Sequence, residues 1–511
     1  MTVTHAIPVT DGTGGRAGAR GWVALAVLML PVLLVSVDNT VLSFALPMIS
    51  SALEPTSIQQ LWIIDAYPLV LAALLVTMGT LGDRFGRRRM LLIGATGFAL
   101  VSAASAFAPT AGWLISGRAG MAVFGAMLMP STLSLIRSIF SERAQRRLAI
   151  AVWAAMFSAG AALGPIVGGF LLEHFAWGSV FLMAVPVLVP LLVFAPMFVP
   201  ESRDPDPGRI DPVSIVLSIG AMLPIVYAIK QLAVEGFSAT VVVLLVAGVL
   251  FGLLFVRRQL RAEIPMLDMG LFRTPAFTGA LLVNLLSVIA LVGFLFFIAQ
   301  HLQLIIGLSP MESGLALLPS LVAMIVAGLI VVPLSVRIPP RVLIPAALVF
   351  SVAGYVGIGL TTGPDTLWPT IVASVSLGIG IGMAETVSNE LILSSAPAAK
   401  AGAASAVSET AYELGTVLGT SVIGGFLTAV YRTTIAIPEG VPAHIAAEAR
   451  ETLAGAMNAA GELGGMLGAA LRAAAAQAFD AGVGAAALTG AVLVAVAAVI
   501  AATTLKGRST R

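Results

Sequence analysis

Two glutamates, Glu409 and Glu413, stand four residues apart in a mostly apolar stretch, with Tyr412 beside them. On a helix that spacing puts both carboxyls on one face. Neighbouring like charges resist ionising together, so the pair is expected to hold at least one proton at neutral pH. A cation entering there would displace that proton by direct competition, which is exchange without other machinery. Asp38, Asp65 and Arg118 also interrupt long apolar runs. An ionised side chain at mid-bilayer costs roughly 2.5–3.5 kcal/mol on insertion scales, so such groups persist where they face a cavity or a partner. A nearby Arg favours the charged form of a carboxylate and burial disfavours it; an acid caught between the two can load and release a proton. Glu385 is a further acid in an apolar run, with its role open, whereas Glu390 is expected to reach an interface. Trp62, Tyr67, Trp153 and Tyr412 lie near these acids or within the same runs and offer aromatic faces to flat cations. The competing reading makes Asp65 a cap at the start of its helix and the glutamates neutral hydrogen-bonding groups.

The elements that must hold these residues follow from composition. Of 511 residues, 59% are hydrophobic and 10% charged, too few charges to cover a soluble protein of this size. The apolar residues fall in runs of about twenty, the length a helix needs to cross the hydrocarbon core. Without water to satisfy the backbone, such runs must be helical. The reading is an all-α polytopic membrane protein with fourteen spans: 21–47, 60–80, 90–109, 112–136, 148–172, 178–199, 212–232, 238–256, 275–303, 310–335, 342–361, 367–391, 402–430 and 481–504. Residues 1–20 are polar and unlike a signal peptide, so the first run is read as a retained span.

Basic residues fix the expected orientation. With an even span number, both termini and every second loop share one side. Of 27 Lys and Arg, all but Arg118, Lys230, Arg432, Arg450 and Arg472 fall on that side. The positive-inside rule makes it cytoplasmic. Residues 431–480 then form an external, Ala-rich loop, either a solvated connector or an element with a part in gating. Counting rise along the spans, Asp38, Asp65 and Arg118 fall at similar depth in the outer third and could form one charge cluster. Trp22, Trp113, Trp177 and Trp368 are read as interfacial anchors.

Several classes are excluded. A net charge of +2 gives no footing for nucleic acid. There is no cysteine, and the four histidines are scattered without ligand spacing, so neither a metal nor another cofactor is expected. No nucleophile–base pair points to an enzyme, and no phosphate-binding Gly-Lys-Ser/Thr points to ATP.

Between spans 2 and 3 the chain reads Gly79-Thr-Leu-Gly82-Asp83-Arg84-Phe-Gly86-Arg87-Arg88-Arg89. A simple basic cluster would need neither the glycine spacing nor the aspartate. Span 5 contains Gly160-Ala-Ala-Leu-Gly164-Pro165-Ile-Val-Gly168-Gly169, whose glycines let another helix approach closely and whose proline favours a kink. The first motif resembles the signature loop of the major facilitator superfamily, with a degraded echo at Arg337 to Arg341. The second resembles the antiporter motif of its exporters. Val37-Asp38-Asn39-Thr40 in span 1, Gln59 to Tyr67, Gly125 to Arg137 and Ser405 to Gly415 resemble the fourteen-helix drug:proton antiporters, of the quaternary-ammonium and multidrug pump type.

That resemblance implies a major-facilitator fold: a six-helix bundle over 21–200, two inserted helices with flanking loops over 201–274, and a second six-helix bundle over 275–506. It implies proton coupling through Arg118, with Asp38 and Asp65 in coupling and cation binding. It implies export of lipophilic cations such as dyes, quaternary ammonium compounds and cationic antimicrobials from a bacterial cytoplasmic membrane, with small-molecule cations, protons and the bilayer as partners and a single chain as the working unit. The alternative cargo is a cell-envelope lipid or a secreted metabolite. Some members carry an acid in span 10; Leu318 to Met324 has none, which weighs against divalent organic cations.

Overall fold

In the computed structural model, residues 17–203, 211–262, 265, 269–361, 363, 366–395 and 401–505 are described. Most of the tail 1–20, the central loop 204–210, Lys400 and the basic C-terminus lie outside them. Among the described residues every regular element is helical.

In chain order the helices are α1 (Ala19–Leu53), α2 (Ser57–Phe85), α3 (Arg87–Ser105), α4 (Ala111–Ile139), α5 (Arg143–His174), the short α6 (Ser179–Leu182), α7 (Ala184–Phe198), α8 (Pro212–Glu235) and α9 (Ala239–Arg261). Then follow α10 (Pro275–Gln300), α11 (Pro310–Ser335), α12 (Pro340–Leu360), α13 (Leu367–Ser395), α14 (Ala401–Gly419), α15 (Gly425–Thr434), α16 (Ala443–Glu451), α17 (Leu453–Leu463) and α18 (Gly465–Thr504). A π-turn, His301–Ile305, extends α10, and another, Thr420–Gly424, joins α14 to α15. Such turns add a residue to the helical ladder and are frequent at functional positions.

Local chemistry sets several boundaries. Thr56 caps α2 by accepting from the Gln59 backbone N–H, while the Gln59 side chain accepts from the Thr56 N–H. Ser309 and Glu312 make the same reciprocal pair at the start of α11. Each satisfies two of the donors that a helix start leaves free. Gly86, at φ 116°, separates α2 from α3, a conformation in which a side chain would be strained.

Twelve of the described helical segments are long and apolar enough to cross a bilayer. The bent pair Leu148–Ala161 and Leu163–His174, meeting at 41°, brings the number to thirteen. The bend falls where Pro165 deprives the 161 carbonyl of its helical donor. The fourteenth expected span, α3, has 19 residues, about 28 Å of rise. Arg87, Arg88 and Arg89 at its head keep it below the apolarity of the others, so its crossing remains an expectation. The last helix is longer than its apolar run. Ala-rich sequence of high helix propensity carries α18 back to Gly465, and the segment expected over 431–480 is reduced to α16, α17 and their connections.

Helices α1 to α7 pack on one another, chiefly α1 with α5 and α7 and α4 with α2 and α3. Helices α10 to α15 and α18 pack likewise, with α13 between α11 and α12. The two groups meet along α2 with α14 and α5 with α11. The hairpin α8–α9 is peripheral. Helix α9 packs mainly on α8, and α8 reaches the body through α2, α15 and the second π-turn.

Candidate functional site

Arg118 of α4 donates through Nη1 to Asp38 Oδ2 at 2.6 Å, with side-chain exposures of 2% and 5%. The guanidinium carbon lies 4.7 Å from the centre of the Tyr67 ring, within cation–π range. Gly125 of α4 provides the room, since a Cβ there would come within 2.7 Å of the Tyr67 hydroxyl. Among the described residues, Arg118 Nε, Asn39 Nδ2 and the Tyr67 hydroxyl are buried without a hydrogen-bond partner.

Asp65 is not part of that cluster. It lies fully buried well inside α2, so it does not cap that helix either; Thr56 does. Its partner is Lys230 of α8, whose Nζ is 2.6 Å from Asp65 Oδ2, both side chains being 0% exposed. Ser421, in the second π-turn, donates to the same oxygen at 3.0 Å. The Lys230 ammonium also lies 4.6 Å from the centre of the Trp62 ring, and Tyr227 of α8 sits 6.1 Å from that ring. The single charge cluster expected from equal depth is therefore two ion pairs. Depth along a helix says nothing of the direction in which a side chain points.

The third group is on α13 and α14. Glu413 is buried, and Glu385 and Glu409 are half-buried. All three act electrostatically on Tyr412, whose ring meets Phe157 of α5 edge-on at 6.0 Å. Phe157 stacks on Trp153, which donates to Thr132 Oγ1 at 3.2 Å. Glu385 Oε1 and Glu413 Oε2 are buried without a hydrogen-bond partner. Tyr67 joins this group to the first, because its hydroxyl feels the charges of Asp38, Glu413 and Arg118.

The two motif regions support the site from a distance. Arg87 binds Asp83 one turn back, at 2.8 Å through Nε and Nη2, and donates to Ser202 Oγ at 3.1 Å. The Arg88 N–H donates to Glu201 Oε1 at 3.0 Å. A Cβ at Gly86 would come within 2.8 Å of that oxygen. Gly79 and Gly82 face α4 at Pro130 and Ser131, while Arg84 is exposed. The loop is thus tied to the segment after α7.

In α5, Gly160, Gly164 and Gly168 face α1 at Ser36, Thr40 and Val41. Ser36 Oγ donates to the Phe157 carbonyl. Gly169 and the Pro165 carbonyl instead touch α11, at Met311 and Gly314. One short stretch therefore packs α5 against both halves of the molecule.

At the end remote from the arginine-rich loops, the two halves are stapled. The Ser57 N–H donates to Glu451 Oε2 at 3.0 Å, and Arg432 lies 3.5 Å from the same oxygen. Asn458 Nδ2 donates to the Ser51 carbonyl at 3.4 Å, and Gln303 Nε2 to the Phe44 carbonyl at 3.1 Å.

The sequence profile of the Major Facilitator Superfamily matches residues 28–420. The chain belongs to the Major Facilitator Superfamily. It is 55% identical over 485 residues to the multidrug efflux pump LfrA of Mycolicibacterium smegmatis, covering 95% of this chain and 96% of that one. It is 38% identical to the methyl viologen resistance protein SmvA of Salmonella typhimurium, covering 90% and 93%. Identity to the tetracenomycin C resistance and export protein of Streptomyces glaucescens is 32%, over 83% and 79%. In fold it resembles a bacterial homologue of the human lysosomal transporter Spinster, inward-facing and unoccupied, with TM-score 0.66 at 17% identity, covering 96% and 99%. This facilitator is accordingly a multi-span membrane transporter and not an enzyme, and its all-α superfamily fold is the expected one.

Several residues at these sites escaped the sequence reading, Phe157 among them. Lys230 was legible as a lysine inside an apolar run, which is costly unless paired. Glu201 follows Pro200 just after α7, beside the arginine loop in space only. Ser421 and Tyr227 carry no signal that separates them from ordinary helix residues.

Proposed function

We propose that this facilitator exports lipophilic cations in exchange for protons across a bacterial cytoplasmic membrane, with both termini on the cytoplasmic side. Dyes, quaternary ammonium compounds and cationic antimicrobials are the cargo class. The names of the relatives, a multidrug efflux pump and two resistance proteins, support drug efflux. The buried acids support coupling to protons and preference for cations.

One observation carries the reading: Arg118 lies over the Tyr67 ring, and Asp38, Arg118 and Glu413 all act electrostatically on Tyr67, so acids of both halves share one electrostatic neighbourhood. A proton taken by Asp38 removes the counter-charge of Arg118. The guanidinium, held over the Tyr67 ring, then acts on the groups around Glu413. A cargo cation at Glu409 and Glu413 has the opposite effect, since it supplies the positive charge itself. Each ligand so changes the field in which the other binds, and reciprocity follows from linkage. Tyr412, Phe157 and Trp153 offer aromatic faces on the cargo side. The two motif regions let α4 and α5 shift against their neighbours. One chain carries every group named, so a monomer suffices.

The test is ethidium movement in proteoliposomes under an imposed pH gradient, with proton flux read in parallel. Wild type should move ethidium against protons, and Glu409→Gln/Glu413→Gln should lose both fluxes together. Ethidium export that survives collapse of the gradient would reject proton coupling. Export of neutral cargo alone would reject the cation site.

A further inference from the structure

The Asp65–Lys230 pair is poorly explained as a fastener. Taking two charges out of water costs several kcal/mol per ion, and apolar side chains of similar volume commonly hold a contact at least as well. Lys230 belongs to the peripheral hairpin, yet it spans the boundary to reach an acid fully buried in α2. What surrounds its ammonium is specific. Asp65 provides a carboxylate at 2.6 Å, and Trp62, one turn earlier on α2, provides an indole face at 4.6 Å. Tyr227 adds a second ring beside Trp62. Asp65 Oδ1 is buried and makes no hydrogen bond of ordinary geometry, with Thr420 of the π-turn acting on the same carboxylate. A carboxylate with an aromatic face is the donor set that recognises an organic cation. Here the cation in that set is a side chain of the protein.

We propose that Lys230 is a resident competitor at Asp65 and Trp62, its ammonium holding the place that a lipophilic ammonium or aromatic cation takes. This deepens the proposed function and rests on its reading of the cargo as an organic cation. Cargo enters the subsite when the ammonium of Lys230 leaves it, and the hairpin returns the ammonium when cargo departs. Ser421, which donates to Asp65 from the π-turn between α14 and α15, brings the second half of the molecule to the same carboxylate. Occupancy of the subsite is therefore coupled to three parts of the structure: α2, the hairpin and the π-turn. The inserted pair α8–α9, otherwise on the periphery, acquires a role as the carrier of a built-in cation that sets how tightly foreign cations are held.

The apparent affinity for a cation is reduced by the fraction of time Lys230 fills the subsite. If the subsite is free about a tenth of the time, Lys230→Met should tighten ethidium binding about tenfold. The experiment measures ethidium binding by fluorescence anisotropy on the purified full-length chain in wild type, Lys230→Met, Asp65→Asn/Lys230→Met and the charge swap Asp65→Lys/Lys230→Asp. The gain should appear in Lys230→Met, vanish in Asp65→Asn/Lys230→Met, and be absent from the swap, which restores an ion pair without freeing a carboxylate. A second measurement needs no substitution at the pair. Lys230, Lys400 and Lys506 are the only lysines in the sequence, so 13Cε-lysine labelling gives three resonances, assigned by Lys400→Arg and Lys506→Arg. Saturating ethidium should shift the Lys230 signal in otherwise native protein. Ethidium that binds wild type without moving that signal, with Lys230→Met monodisperse and of unchanged affinity, overturns the competitor role and leaves the cation reading standing. Ethidium that binds none of the variants overturns the cation reading and the subsite with it.

Discussion

Replacing Asp38 by Asn removes one charge of a pair whose side chains are 5% and 2% exposed, so solvent will not absorb the loss. Arg118 would be left buried and charged, with its Nε already lacking a partner. Breaking such a pair from one side costs about 3–5 kcal/mol. The Tyr67 ring, 4.7 Å away, contributes about 2 kcal/mol, but that contact exists already and offsets nothing new. Asn keeps the shape and one acceptor, so the lower end, about 3 kcal/mol, is expected. Removing both charges, as Asp38→Asn/Arg118→Met, leaves no uncompensated ion and should recover most of that stability. Transport should behave differently. Both the single and the double variant lose the proton-loading acid, so both should fail to move ethidium under a pH gradient. Thermal melting of purified protein and proteoliposome flux, measured on the same three preparations, separate the two effects. Asp38→Asn that melts with wild type and pumps normally would refute both the burial argument and the coupling role. A double variant as unstable as the single would refute the attribution to the stranded guanidinium.

Gly164→Val should abolish exchange while the chain still folds: even a Cβ there comes within 2.9 Å of Thr40 Cβ and 3.2 Å of the Val37 carbonyl, an overpacking of about 1–3 kcal/mol that forces α1 and α5 apart. Flux at matched protein density is the readout, and wild-type flux would remove the close-approach argument. At the start of α8, the hydrogen bonds that Arg258 donates to Asp211, aided by Ser214, hold the Asp211 carboxyl well below the usual carboxylate range. A lowered acid contributes in full above its ordinary range and loses that contribution progressively as pH falls from there through the lowered value. Hydrogen exchange of the first α8 turn, corrected for intrinsic rates, should therefore be as slow at pH 5 as at pH 7. In Arg258→Ala most of that contribution is absent at every pH, so the first turn should be less protected already at pH 7 and should change less than wild type as pH falls below about 4.

Several features depend on near neighbours in the chain, and of these the sequence reading drew only the shared glycine face of α5. Thr56 with Gln59, and Ser309 with Glu312, are capping pairs three residues apart. Asp83 and Arg87 meet because one helical turn separates them. The glycines of α5 point at α1 because residues four apart share a face. The start of α18 was missed for the opposite reason, since Ala-rich sequence without strong apolarity is helical by propensity and silent in a hydropathy reading. The Gly86 approach to Glu201 joins residues far apart in the chain, and no spacing rule reaches that far.

The sequence by itself determined that long apolar runs become helices, that a few acids and bases are stranded among them, and roughly how deep each lies. Those are consequences of length, hydropathy and 1.5 Å of rise per residue. Only the tertiary structure decided which stranded charge meets which. Asp38 and Asp65 count to similar depth along their spans, yet one faces Arg118 and the other Lys230. Depth is a single coordinate; partnership also needs the rotation of each helix about its axis and its neighbours around the bundle. Those are set by how all the side chains pack at once, which no single helix encodes.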